Sequence, residues 1–282
     1  MRLVRRFSLA SVVAALSLAA SALPATAAVT VGQTAPSSIN NSSDFDFVQG
    51  TLVSGTSYVL PVNGTLTSWS THASANGGML AMQIFRPLGG STYMAVAHDG
   101  PRPLNPSALN TFTGLSVPVK AGDVLGNSTP SSAGLPAALF PGAPGDEHLV
   151  HSPALADGDQ APFGPDGGDR VNISAVINPT NSFIPGAVTR NKKKGTATLA
   201  FNLPNSGDLS GSGQGAQVAS TGAITSKAVP AGTATLLVKA KGKKKRKLNQ
   251  KGKVKLNLAV TYTPTGGDPS TQSVKVKLKK KL

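Results

Sequence analysis

The 282-residue sequence predicts an all-β protein built from two antiparallel β-sandwich domains. Three observations support this prediction. Short apolar runs alternate residue by residue with polar ones, as a half-buried antiparallel sheet requires. Gly (31 residues) and Pro (21 residues) are frequent and scattered, which favours many turns and few long helices. The net charge changes sign between the two parts of the chain, which indicates two units with different surroundings.

The N-terminus has the three-part layout of a secretory signal. An uncharged apolar run, Leu9–Leu23, is followed by Pro24 and by the small-x-small sequence Ala25–Ala27. The basic head before it consists of Arg2, Arg5 and Arg6. The apolar run is shorter than the roughly 20 residues that a membrane-spanning helix needs. We therefore expect residues 1–27 to be a cleaved signal peptide, with a retained membrane anchor as the alternative, and no membrane span in the mature chain.

Residues 28–43 are polar and are predicted to be a flexible N-terminal segment. The first sandwich domain is predicted at 44–180. Within Tyr58–Ser70, Asn63-Gly64 separates two strand-like runs and is a strong hairpin signal. Residues 127–170 have no clear period and are rich in Pro, Gly, Ser and Asp, so we expect long loops there with one short strand.

A linker is predicted at 181–195, followed by a basic immunoglobulin-like sandwich at 196–282. Alternation is strict here: Val254 and Leu256 are expected to face the core between outward-facing lysines. About seven short strands over about 90 residues fit an immunoglobulin-like sandwich. The sequence has no cysteine, so the domain must be held together by core burial alone, without disulfides.

Several segments resemble known modules. Thr196–Leu199, Gly242–Arg246 and Val260–Gly267 resemble a Lys-rich immunoglobulin-like module that closes many secreted proteins of high-GC Gram-positive bacteria. Tyr58–Ser70 and Val117–Gly126 resemble the jelly-roll-like sandwich that often precedes it. The resemblance covers most of the mature chain and implies an extracytoplasmic β-rich protein. Its motifs are structural rather than catalytic, so it implies no specific activity.

The charge distribution is strongly asymmetric. The formal net charge is +15. Residues 29–189 contain four basic and ten acidic residues, whereas Arg190–Leu282 contains twenty basic residues and only two acidic ones. The basic excess of the mature chain therefore lies in the second domain, and it predicts an anionic partner for that domain.

The candidate polyanion-binding residues are on predicted strand faces and at a predicted hairpin tip. They are Lys243, Lys244, Lys245, Arg246, Lys247, Lys253, Lys255, Lys275, Lys277 and Lys279. Lysine offers a hydrated point charge, which favours loose attraction to polyanions over shape-specific binding. We expect anionic cell-wall polymers or acidic glycans as partners, with lipid head groups and extracellular DNA as alternatives. Base-stacking aromatics are scarce, so no specific nucleic acid is expected. The competing interpretation is that the lysines blunt sheet edges and maintain solubility.

Other candidate sites are weaker. Tyr58, Trp69 and Tyr93 are a possible glycan platform, although such residues also occupy cores. Glu147–His151 has the wrong spacing for a metalloprotease helix, and the acidic loops Asp157–Asp159 and Asp166–Asp169 lack the closing Glu of an EF-hand. His72, His98 and Asp99 accompany no G-x-S-x-G elbow. No catalytic, cofactor or metal residues are therefore predicted.

These observations favour a secreted, non-enzymatic protein that binds at the cell envelope or outside the cell, located in the medium or at the cell wall. The first alternative is a carbohydrate-binding protein that uses the first sandwich. The second alternative is a secreted hydrolase, and the third is a purely structural surface protein.

Overall fold

A computed structural model describes residues 28–41, 44–131, 134–220 and 232–282. The predicted signal peptide, residues 1–27, lies outside the described residues. The described chain is all-β, with antiparallel strand pairing in every sheet and a single α-helix. Its buried apolar side chains form two separate clusters, one in residues 31–177 and one in residues 183–278. We call residues 28–180 the front half and residues 181–282 the rear half.

The front half contains thirteen described strands. They are β1 (Val29–Gln33), β2 (Phe45–Thr51), β3 (Gly64–His72), β4 (Met79–Gly89), β5 (Thr92–Pro103), β6 (Leu109–Val119), β7 (Val124–Thr129), β8 (Leu139–Phe140), β9 (Glu147–His151), β10 (Gln160–Pro162), β11 (Gly164–Gly167), β12 (Arg170–Val171) and β13 (Ile173–Pro179). A four-stranded sheet has the order β1-β13-β3-β6, and a seven-stranded sheet has the order β10-β5-β4-β7-β2-β9-β11. The short strands β12 and β8 pair with each other.

The front core is filled by inward-facing residues of both large sheets. Trp69 and Ile177 come from the four-stranded sheet, and Phe47, Ile84 and Leu125 come from the seven-stranded one. All five are at most 3% exposed. On β13 the buried and half-buried positions alternate strictly, as a half-buried antiparallel strand requires.

The rear half contains seven described strands and one helix. They are β14 (Ile184–Asn191), β15 (Thr196–Leu203), β16 (Gly207–Ser212), β17 (Ala216–Ser220), β18 (Gly232–Ala240), α1 (Gly242–Lys251), β19 (Lys253–Pro264) and β20 (Ser270–Lys279). One sheet has the order β14-β15-β18-β17 and the other has the order β16-β19-β20. Phe201 and Leu236 from the first sheet share one core with Leu256, Val260 and Leu278 from the second.

Several predicted boundaries were wrong. Val29–Gln33, predicted to be flexible, forms β1 and pairs with β13. The predicted linker at 181–195 contains β14, which pairs with β15. The region 127–170, predicted to be mostly loop, contributes strands that pair across long sequence distances, including β9 with β2. Period-based reasoning misses such strands because they are short and are formed by tertiary pairing.

The Asn63-Gly64 hairpin predicted from the sequence is also not formed. Gly64 begins β3, which pairs with β13 and β6 instead of with the preceding segment. In that preceding segment, Val59 makes only an isolated bridge to Val124. The backbone at Asn63 is used for contacts with the rear half.

The two halves meet at Asn63 and Asn205, whose amides bond reciprocally. The Asn63 backbone N–H donates to Asn205 Oδ1 at 2.7 Å, and Asn205 Nδ2 donates to the carbonyl oxygens of Asn63 (2.8 Å) and Thr180 (3.0 Å). Asn63 Nδ2 in turn donates to the Pro204 carbonyl at 2.6 Å. Asn205 is only 4% exposed, and its own carbonyl accepts the Tyr262 hydroxyl at 2.8 Å. Buried amides with full partners of this kind specify one arrangement of the halves at this point.

Candidate functional site: a lysine groove at one end of the rear half

The basic residues of the rear half gather at the end that is opposite the junction. β19 begins at this end with Lys253, and β20 ends there with Lys279. The chain is closed at this end by backbone bonds from Lys281 N–H to the Lys192 carbonyl and from Lys280 N–H to the Gly252 carbonyl, both 2.8 Å. We call this the basic end. Antiparallel strands thus bring together lysines that are up to 89 residues apart in the sequence.

A groove of about 340 Å³ lies between α1 and the outer surface of the β19–β20 pair. Five of its six lining residues are lysines, and the sixth is Val254. The lysines are Lys244 and Lys247 from α1, Lys253 and Lys255 from β19, and Lys277 from β20. All five belong to the predicted polyanion-binding set. The other members of that set lie on two of these three elements but do not line the groove. They are Lys243, Lys245 and Arg246 on α1, and Lys275 and Lys279 on β20.

The register of β19 and β20 places lysine directly opposite lysine. Lys253 pairs with Lys279, and Lys255 pairs with Lys277. The next outward pair is Asn257 with Lys275. These three opposed pairs form three rows that contain five lysines, and we call them the lysine ladder. Like charges at directly opposed positions destabilise a sheet, so the ladder costs stability in the unliganded protein.

The helix α1 was not predicted, because the run Lys243–Lys247 was assigned to a hairpin tip. Leu248 is 3% exposed and anchors the helix to the rear core. Gly252 ends the helix with φ of 62°, a left-handed conformation that glycine adopts without strain. Local electrostatics oppose the helix: its first turn has no acidic residue, and the Lys241 side chain makes no capping bond. Cations near a helix N-terminus face the positive end of its dipole.

Negative side chains are remote from the groove. The three Arg–carboxylate ion pairs and the two His–carboxylate contacts among the described residues all lie in the front half. Of the two acidic residues of the rear half, Asp208 is opposite Thr263 in the β16–β19 pairing, and the Asp268 carbonyl accepts a bond from Asn181. Both positions are toward the junction. A further cation, which the sequence reasoning missed, adjoins the ladder: Arg190 Nε donates to the Lys277 carbonyl at 2.9 Å.

The proposed glycan platform is wrong, because the three rings are buried. Tyr58 is 2%, Trp69 is 0% and Tyr93 is 9% exposed. The Tyr58 hydroxyl donates to the Val171 carbonyl at 2.5 Å, and Trp69 Nε1 donates to Asp99 Oδ2 at 2.7 Å. Protein groups thus bind the polar atoms of Tyr58 and Trp69, and the burial of all three rings leaves no ring face for a sugar.

The four histidines make contacts of a structural kind. His72 Nδ1 is 3.2 Å from the Ala73 carbonyl, and His98 Nδ1 is 2.9 Å from Asp157. His148 Nε2 is 3.4 Å from Asp166, whereas His151 Nδ1 contacts the Pro162 carbonyl at 3.2 Å. The last two histidines are three residues apart on one strand, so they point to opposite faces of it.

Asp46 lies in the middle of a polar row across the seven-stranded sheet, opposite Ser128 on one side and His151 on the other. Burial raises the pKa of its carboxyl to about 6, although the Leu155 N–H and the Ser128 hydroxyl both donate to it. A hydrolytic triad requires histidine between serine and carboxylate. Here the carboxylate is in the middle, so His151 is not placed to activate Ser128.

The buried carboxylate of Asp146 connects three segments of the front half. Asp146 accepts bonds from Arg170 Nε at 2.5 Å, from the Ala143 N–H at 2.6 Å and from the Val53 N–H at 2.8 Å. The hydrogen bond from Arg170 is the main reason that the pKa of Asp146 falls to about 2. In the part of the chain that the structure describes, no cluster of three or more His, Asp or Glu side chains forms a metal site.

No protein-family model matches the chain, and no curated protein matches it. Within the described ranges, the structure contains no helix that is both long and apolar enough to cross a membrane.

Proposed function

We propose that this is a secreted, non-enzymatic binding protein, associated with the cell envelope or released outside the cell, whose rear half is attracted to anionic wall polymers or acidic glycans. The observation that carries this proposal is the lysine groove, in which five lysines from three elements line one cavity with no carboxylate in its lining. Export is supported by the sequence pattern of residues 1–27.

We also propose that the halves are two domains, a jelly-roll-like front sandwich and an immunoglobulin-like rear sandwich. The rear assignment is supported by its strand order. If β14 to β20 are lettered A to G, the two sheets have the orders A-B-E-D and C-F-G. That is the arrangement of the constant-type immunoglobulin sandwich. In this scheme the length of the rear strands separates the junction from the basic end.

The non-enzymatic assignment is supported by the contacts of the titratable residues. The histidines bond to backbone carbonyls or to single carboxylates, and the Ser128–Asp46–His151 row has an order that does not activate the serine. These groups position loops and strands, and the second alternative, a hydrolase, has no comparable observation in its favour.

Fractionation of producing cells, followed by salt extraction of the wall, tests the proposal. We expect the mature protein to cofractionate with the wall at low salt and to elute as sodium chloride rises toward about 1 M, where screening shortens the electrostatic range to about 3 Å. The fivefold variant K244Q/K247Q/K253Q/K255Q/K277Q is expected to stay in the medium. Failure of the wild-type protein to bind purified walls at low salt would contradict the proposal.

A further inference from the structure

We propose that the lysine groove and the lysine ladder bind one linear polyphosphodiester lengthwise, parallel to β19 and β20. This inference rests on the proposed function and adds the shape and chemical class of the ligand: an extended chain of phosphodiesters joined by short polyol spacers.

The repeat distance of the ladder matches that of an extended polyphosphodiester. Its three rows, Lys253/Lys279, Lys255/Lys277 and Asn257/Lys275, are each two residues apart along the strands. At about 3.4 Å per residue, two residues correspond to about 7 Å. An extended chain of six single bonds also spans about 7 Å, as two residues of backbone do. A phosphodiester with a three-carbon spacer has six backbone bonds per repeat, so one phosphate can face each row.

The straight ladder favours a flexible, extended chain over duplex DNA. Phosphates along one strand of a duplex advance only about 3.4 Å along the helix axis, because the strand winds around that axis. A rigid duplex therefore turns successive phosphates away from a straight row of lysines. An extended chain with one charge per repeat places every anion opposite a row of lysines. Each of its charges therefore contributes to binding.

Like-charge repulsion destabilises two independent elements at the groove, the β19–β20 sheet and the helix α1. In the sheet, Lys253 faces Lys279 and Lys255 faces Lys277. In the helix, Lys244 and Lys247 are three residues apart and repel, and the run of cations lies at the positive end of the helix dipole. A bound polyanion relieves both repulsions at once. Ligand binding and stability are therefore linked, and the ligand should raise the unfolding temperature.

The position of α1 gives the site one closed end. Lys244 and Lys247 face Lys253 and Lys255 across the groove, so a polymer entering here contacts cations on two sides. Beyond the groove the ladder continues on the open sheet surface to Lys275, which is exposed. The site thus spans about three phosphates, the first two held in the groove and the third held on the open sheet surface.

Titration of the mature protein with glycerol-phosphate oligomers of one, three and six repeats tests the proposal. We expect affinity to rise steeply from one to three repeats and only slightly from three to six. At equal numbers of charges, the three-repeat oligomer should bind more tightly than tripolyphosphate or an oligoglutamate. Tighter binding of either competitor would overturn the assignment to a polyphosphodiester.

A pair of charge-matched variants separates the ladder from general electrostatics. K253Q/K255Q/K277Q/K279Q removes four charges from the ladder, and K192Q/K193Q/K194Q/K281Q removes four charges from the same basic end but outside the groove. The ladder variant should bind the three-repeat oligomer about tenfold more weakly or worse. Its slope of log Kobs against log salt should become shallower by about 1.4, because the two rows removed hold one phosphate each at about 0.7 per phosphate contact, whereas the control should change by less than about 0.7.

The outcomes distinguish this inference from the proposed function. Equal losses in both variants would refute the ladder site but leave the attraction to polyanions intact. Absence of wild-type binding to every probe at low salt would refute both. Misfolding is detected independently, because loss of the Lys–Lys repulsion should leave the unfolding temperature of the free ladder variant unchanged or raised.

Discussion

Replacing Asn205 by alanine tests whether the two halves are energetically coupled at their junction. The substitution removes three side-chain hydrogen bonds, one from the Asn63 N–H and two to the carbonyls of Asn63 and Thr180. Each such bond contributes about 1 kcal/mol net. Asn205 is 4% exposed, so water replaces these bonds poorly. We therefore expect the free energy of unfolding to fall by about 3 kcal/mol.

Urea unfolding measures this effect in both halves at once. Trp69 is the only tryptophan and is fully buried in the front core, so its fluorescence reports the front half. Far-ultraviolet circular dichroism reports the strands of both halves. Because Asn205 belongs to the rear half, a lower midpoint in the Trp69 signal shows that the junction transmits stability to the front half. The matched control is N202A, an exposed asparagine on β15, which should change stability by less than about 0.5 kcal/mol.

Two results would refute the reasoning. If N205A shifts the circular dichroism curve but leaves the Trp69 curve in place, then the junction bonds do not couple the halves. If neither curve moves more than in N202A, then the reciprocal amide bonds contribute nothing to stability.

Three further predictions concern the front half. Burial raises the pKa of Asp46 from 3.8 to about 6, so the stability that this carboxyl contributes is fully present below pH 4 and is lost as the pH rises through 6. In parallel thermal melts, D46N should therefore be more stable than the wild type at pH 7, by about 3 kcal/mol at most, and should show no difference of this origin below pH 4. Asp146 has the opposite sign: its lowered pKa makes wild-type stability fall as the pH drops from about 4 to about 2, and D146N should lose this acid dependence while being less stable at pH 7, because Arg170 loses its partner. W69F removes the hydrogen-bond donor to the Asp99 carboxylate, so the free energy of unfolding should fall by about 2 kcal/mol, the value of a bond to a charged acceptor. Circular dichroism melts measure this change, and an unchanged melt would show that the bond is not stabilising.

The sequence predicted the parts of the fold that depend on local periodicity. Strict alternation in β15, β19 and β20 assigned both the strands and their buried faces, because a residue's side of a sheet follows from its position in the alternation. Short strands such as β8 and β12 have two residues each and carry no period of their own. They are strands only because distant segments pair with them.

Local signals were misleading where tertiary contacts overrode them. Asn63-Gly64 has the sequence of a hairpin turn, but Asn63 bonds to the rear half instead. The run Lys243–Lys247 has the charge density of an exposed turn, but one buried side chain, Leu248, and the Gly252 cap suffice to make it helical. Tyr58, Trp69 and Tyr93 are amphipathic rings, and composition does not say which of their surfaces faces water.

The sequence by itself determined the all-β character of the protein and the concentration of lysine on outward positions of the rear strands, because both follow from residue type and a period of two. Only the tertiary structure decided that Lys253 faces Lys279, that Lys255 faces Lys277, and that α1 closes a groove over them. The physical reason is that the burial of apolar side chains such as Leu248 and Leu256 sets the strand register and the docking of the helix. The lysines next to them in the chain are carried into position by that burial.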